Sequence, residues 1–166
     1  MIKPSKMFWL IISLLISISF QAHSSQLVIK QNAQTPITLG HEEIVSTLTP
    51  TQFSTHLPWF TGAKEFTGFT VTDLLAHFNI EDAFSVSFIA LNDYAASSRI
   101  EDIVQYEPIV AYEVNGEKLK IRDKGPYWLI FNLDKYPEAD NAVFHSQMVW
   151  QIDEILIHRH SDAEKN

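Results

Sequence analysis

The stretch Ile109-Val110-Ala111-Tyr112-Glu113-Val114-Asn115-Gly116-Glu117-Lys118-Leu119-Lys120-Ile121 reads as a β-hairpin. Its first arm, Ile109 to Val114, is rich in β-branched and aromatic residues. Asn115-Gly116 is the dipeptide that a type I′ turn favours, because both central residues take positive φ, and Glu117 to Ile121 returns as the second arm. Further along, Gly125-Pro126 marks a turn, and the apolar run Tyr127 to Phe131 is too short for an ordinary helix, so it reads as a buried strand. Val149 to Ile157 is expected to form the last strand. On the N-terminal side, Phe84, Val86 and Phe88 alternate with polar neighbours before Ile89-Ala90, a strand that delivers the cluster Asn92-Asp93-Tyr94 to a loop. Thr70-Val71-Thr72-Asp73 carries a capping box, and Val71, Leu74, Leu75 and Phe78 recur at i, i+3, i+4 and i+7, which predicts a short amphipathic helix. Gln26 to Gln31 alternates as a half-buried strand does, and Ile37 to Gly40 is a shorter one. Strands outnumber helices without βαβ alternation, so the expected class is α+β, a single domain on a mixed or antiparallel sheet.

The 166 residues carry a net charge of −8 and no cysteine. Without a thiol there is no disulfide, no Cys-ligated metal and no cysteine nucleophile, so the fold rests on its core. The acidic balance gives no field for a phosphate backbone, and nucleic acid is not an expected partner. Near the start, Lys3 and Lys6 precede an apolar run from Met7 to Phe20, followed by Ala22-His23-Ser24. That pattern predicts a secretory signal peptide over residues 1–24, because the run falls short of the roughly 20 residues that span a bilayer. The expected product is an exported, periplasmic domain over residues 25–166 with a solvated polar tail from His158.

From about Phe66 to Ile157 the chain resembles the sulfite-oxidase-type molybdopterin-binding domain in a small exported form. The resemblance rests on Phe66-Thr67-Gly68, Ala90-Leu91-Asn92-Asp93-Tyr94 and Pro108 to Tyr112. It continues through Asn115-Gly116, Arg122 to Ile130, Ser146 and Val149-Trp150, in that order. In the catalytic members, a cysteine near the end of the central strand ligates molybdenum, and Ala90 stands in that place. Those members also carry an arginine after Gly-x-Pro and a Lys-Trp pair that hold the cofactor phosphate, where this chain has Trp128 and Val149-Trp150. The resemblance therefore implies the exported pterin-binding regulators of this fold. These are non-enzymatic and take a small pterin as ligand, with no catalytic cofactor. They act on the outer domain of a membrane enzyme of cyclic di-GMP metabolism, and so on biofilm behaviour. A molybdopterin oxidoreductase that tolerates loss of the cysteine, and an interaction protein with a vestigial pocket, are the alternatives.

A pterin ring offers a donor edge, an acceptor edge and two flat faces, so it calls for a carboxylate, an amide or guanidinium, and an aromatic plate. Asn92, Asp93, Tyr94, Arg99 and Trp128 supply those types and are the candidate ligand-binding residues. Each has a second reading: Asp93 as an Asx turn, Arg99 as a surface ion pair, Tyr94 as a rim or core aromatic, Trp128 as core. Trp150 reads as core and Arg122-Asp123-Lys124 as a solvated loop. No catalytic residue and no metal site is expected: the histidines do not converge, and Ser146 lacks a nucleophile elbow.

Overall fold

The computed structural model of the protein describes residues 25–31 and 34–160. The expected signal peptide, residues 1–24, lies outside the described residues, as does the end of the tail, residues 161–166. Two sheets share one hydrophobic core. The first has the order β2-β1-β10-β5-β6, built from β1 (Gln26–Gln31), β2 (Ile37–Gly40), β5 (Ala83–Ala90), β6 (Ala95–Arg99) and β10 (Ile152–Arg159). Only β1 and β10 pair in parallel there, with Val28 opposite Glu154 and Gln31 opposite Ile157. The second sheet has the order β3-β4-β7-β8, from β3 (Thr51–Thr55), β4 (Lys64–Thr70), β7 (Ile109–Val114) and β8 (Glu117–Lys118), while β9 (Trp128–Ile130) pairs with β7. Among the described residues four short helices, α1 (His41–Thr47), α2 (Val71–His77), α3 (Ile100–Tyr106) and α4 (Ala142–Gln147), connect the strands. The class is α+β, and the first sheet is mixed. Among the described residues no helix is long and apolar enough to cross a membrane.

Local chemistry explains these elements. Thr70 caps α2 by accepting a hydrogen bond from the Asp73 backbone N–H at 3.1 Å, while the Asp73 carboxylate accepts from the Thr49 N–H at 2.6 Å. The hairpin turn adopts φ 50° at Asn115 and 75° at Gly116. Gly68 has to be glycine because a Cβ there would stand 2.3 Å from the Val110 carbonyl oxygen, where β4 crosses β7 at a register shift. Alternation in β5 buries Val86, Phe88 and Ala90 against the core, facing Leu27, Ile29, Ile155 and Ile157 from the neighbouring strands.

Three boundaries and one side-chain orientation differ from the sequence expectation. The second hairpin arm ends at Lys118, because Ile121 to Asp123 turns into a 3-10 helix. The last strand begins at Ile152 rather than Val149, and Trp150 makes only an isolated bridge to Trp128. That strand then runs into the supposed tail: His158 Nε2 lies 2.7 Å from Ser87 Oγ, and Arg159 Nε donates to Asp82 Oδ1 at 2.6 Å. Phe84, expected to alternate into the core with Val86, is instead an exposed residue beside the His158 and His160 rings.

Candidate functional site

The strand β5 ends at Ala90, and the chain reverses at once into β6. Ala90 accepts a hydrogen bond from the Asp93 N–H at 2.9 Å and donates its own N–H to the Tyr94 carbonyl at 2.9 Å, so the turn is tight. Within it Asn92 forms an Asx turn, its Oδ1 accepting from the Tyr94 N–H at 3.2 Å. That bond leaves the Asn92 Nδ2 group to donate elsewhere. Opposite stands α4, capped by Asn141, whose Oδ1 accepts from the Val143 and Phe144 N–H groups. The helix is fixed to β6 by the buried hydrogen bond from Ser98 Oγ to Gln147 Oε1 at 2.7 Å. Tyr94 spans the gap, its hydroxyl donating to the Ser146 carbonyl at 2.8 Å.

Between these pieces lies a cavity of about 310 Å³, lined by Trp59, Ala90, Asn92, Tyr94, His145 and Trp150 among others. Its size sits at the low end of the range of about 300–1,000 Å³ typical of small-molecule sites. Trp59 and Trp150 meet at 5.9 Å and 89°, so a flat ligand stacked on one indole meets the edge of the other. His145 Nε2 lies 2.8 Å from Asp140 Oδ1. A carboxylate only accepts, so Nε2 is the donor of this pair. The cavity thus has aromatic faces, with an amide and an imidazole on its lining.

Trp128 forms the ground beneath this site. It is fully buried, donates Nε1–H to the Met148 carbonyl at 3.1 Å, and touches Trp59, Phe66 and Trp150. Lys124, held in the left-handed region at φ 73°, sets its ammonium 3.6 Å from the Trp150 ring centre and 5.3 Å from that of Trp128. Burial pushes its amine below the usual lysine range. The cation holds Trp150 in place from within the protein.

Of the five candidate ligand residues, the structure brings Asn92 and Tyr94 to the cavity and leaves the others off it. Asp93 takes φ 64° and is exposed, and its charge falls on Asp153, whose carboxyl is raised by burial first and by Glu154 and Asp93 in smaller part. Arg99 lies at the far end of β6, opposite Ser85, about 13 Å along the strand from Ala95. There its guanidinium pairs with Asp102 at 3.2 Å, and this hydrogen bond holds it above the ordinary range. Trp128 packs as core, so it supports the stacking surface rather than being one. Trp150, read as core, is instead 37% exposed and forms a wall. Trp59 and His145 were missed. The aromatic pair Trp59-Phe60 between Pro58 and Gly62 was the available signal for the first, since exposed loops that carry large aromatics are often binding loops.

The chain belongs to the family of the oxidoreductase molybdopterin binding domain, whose sequence profile matches residues 17–131. Its fold is similar to that of the sulfane dehydrogenase SoxCD from Paracoccus pantotrophus, with a TM-score of 0.58 at 16% identity. The alignment covers 80% of this chain and 38% of that one, so the protein spans well under half of its structural relative. Among curated proteins none matches the sequence. The protein is therefore a member of this family with a fold of the sulfite-oxidase molybdopterin-domain type.

The cavity's donor set does not match a molybdenum cofactor. Ala90 presents a methyl where the resemblance places a thiolate, and among the described residues no three His, Asp or Glu side chains gather as metal ligands. Arg99 and Arg159 are engaged with Asp102 and Asp82, and Arg122 stands on the exposed loop after the hairpin, off the cavity lining. The remaining nearby cation, Lys124, is turned onto Trp150.

Proposed function

We propose that this protein binds a pterin without a phosphate tail in the cavity at the end of β5, and performs no redox or hydrolytic chemistry there. The observation that carries the reading is Ala90 on the wall of an aromatic cavity: the position of the expected metal ligand is a methyl, yet the pocket around it is built. A pterin stacks on Trp150 or Trp59, worth about 1–3 kcal/mol by analogy with bases on aromatic side chains. Its donor edge faces His145 Nδ1, and its acceptor edge faces Asn92 Nδ2. The imidazole takes the part that sequence reasoning gave to Asp93.

The N-terminal pattern and the resemblance support export to the periplasm with cleavage near Ser24, and action through the outer domain of a membrane signalling enzyme of cyclic di-GMP. Pterin occupancy is then the signal. The test is to purify the protein from the compartment in which it accumulates, denature it, and analyse the supernatant for fluorescent pterins and for metals. A pterin near one per chain without molybdenum is expected. Molybdenum near one atom per chain, or no pterin from a folded protein that also fails to bind reduced pterins in titration, overturns the reading. In cells, deleting the gene and substituting Trp150→Ala should change cyclic di-GMP in the same direction.

A further inference from the structure

We propose that the loop Glu117–Lys124 is a docking surface for an anionic lipid membrane. The chain carries −8 overall, yet this segment holds three exposed cations, Lys118, Lys120 and Arg122, against two carboxylates, Glu117 and Asp123, with Lys124 turned onto Trp150. Its charge therefore runs against that of the whole. Lys118, Lys120, Ile121 and Arg122 are exposed and line one open cleft together with Ser25, Leu119 and Pro126, and no carboxylate lines it. Arg122 also reaches Asp123 at 3.3 Å, in an exposed pair that screening weakens.

Two observations favour lipid over an acidic protein. Ile121, 57% exposed, sits between Lys120 and Arg122, so an apolar tip is flanked by two cations. That arrangement places the apolar residue at the acyl boundary while the cations meet headgroup phosphates. Ser25 borders the same cleft, and it is the first described residue after the apolar run that ends at Phe20. The chain therefore enters the domain beside its basic loop, and a leader held at the membrane until the proposed cleavage near Ser24 would bring the loop to it.

The acidic remainder supplies orientation. An anionic surface repels the bulk of the domain and attracts this loop, so one approach is favoured over all others. Gly125 keeps the loop in place: a Cβ there would stand 2.5 Å from the Leu119 backbone, so the chain folds tightly back under the exposed cations.

The test uses protein recovered from the exporting cell and floated with vesicles of phosphatidylcholine alone or with about a quarter phosphatidylglycerol. Binding should be stronger on the anionic vesicles and fall in about 1 M salt, where screening acts within ~3 Å. The double variant Lys120→Glu with Arg122→Glu should lower anionic-vesicle binding by about tenfold or more. Ile121→Ser should lower it further, with an unchanged melting curve and pterin affinity. Equal binding to both vesicle types, or a double variant that binds as the parent does, overturns the proposal. So does salt-sensitive binding of polyglutamate without vesicle binding, which reassigns the loop to an acidic protein. The unaltered pterin affinity separates this result from any failure of the ligand reading.

Discussion

Two hairpin turns in this molecule are made with asparagine, and they serve opposite ends. The Asn115-Gly116 turn takes positive φ at both residues, and Asn115 Oδ1 accepts from the Glu65 N–H at 3.1 Å, so its polar chemistry is spent on the neighbouring strand. The Asn92-Asp93 turn puts positive φ at Asp93 alone, uses the Asn92 oxygen to close itself, and leaves an amide nitrogen and the Tyr94 ring at a cavity. The difference lies in what faces each turn. The first abuts the start of β4, whereas the second abuts helix α4 across a gap wide enough for a ligand.

That contrast can be broken most forcefully from beneath the second turn. Trp128→Ala should lower unfolding free energy by about 3–5 kcal/mol, as truncation of a buried large aromatic does, and binding should vanish because the floor collapses. A denaturant titration with no stability loss would mean that Trp128 is not core. On the wall above, Trp150→Ala should weaken pterin binding by about 1–3 kcal/mol while the melting temperature moves little, read by fluorescence titration beside a thermal scan.

The two turns themselves make a crossed pair. Asn92→Ala should weaken binding by about 0.5–1.5 kcal/mol, the usual net worth of a hydrogen bond. Gly116→Ala, at φ 75°, should lower stability by about 1 kcal/mol and leave affinity alone. If both variants moved both quantities, the division between an architectural and a functional turn would fail.

A pH series sharpens the core beneath. His41 is buried at the head of α1 with Nδ1 unpartnered, and burial first and Lys118 second hold its imidazole below the ordinary 6.5. The unfolded chain then binds the proton more readily than the folded one. Stability is therefore fully present above about pH 6.5 and is lost as pH falls below it. His41→Phe should flatten that part of the melting-temperature curve. The smallest effect belongs to Asp93→Asn: the residue shapes a turn outside the cavity, so affinity should stay within about twofold, as for most surface substitutions.

The hairpin, the capped helix and the buried Trp128 strand were legible because each is fixed by neighbours in sequence: a turn dipeptide, a cap, a short apolar run. The place of Asn92 and Tyr94 at a strand end was legible for the same reason, because they lie directly after a strand that alternates into the core. Arg99 was placed wrongly because it sits on β6, whose weak sequence Ala95-Ala96-Ser97-Ser98-Arg99 hides a strand that carries the side chain away. Trp59 and His145 reach the cavity only through the packing of α4 on β6 and the return of the loop after β3, and no local pattern encodes either.

The parallel pairing of β1 with β10 sets the order in which the chain can assemble. Val28 must meet Glu154, so the first strand has no permanent neighbour on that side until nearly the whole polypeptide has been made. Such a distant contact carries a large loop-closure entropy and delays closure of the sheet. A polypeptide cut before Ile152 would lose the strand that joins β1 to β5 and leave Leu27 and Ile29 without their partner. Until its last strand emerges, the first sheet stays open between β1 and β5.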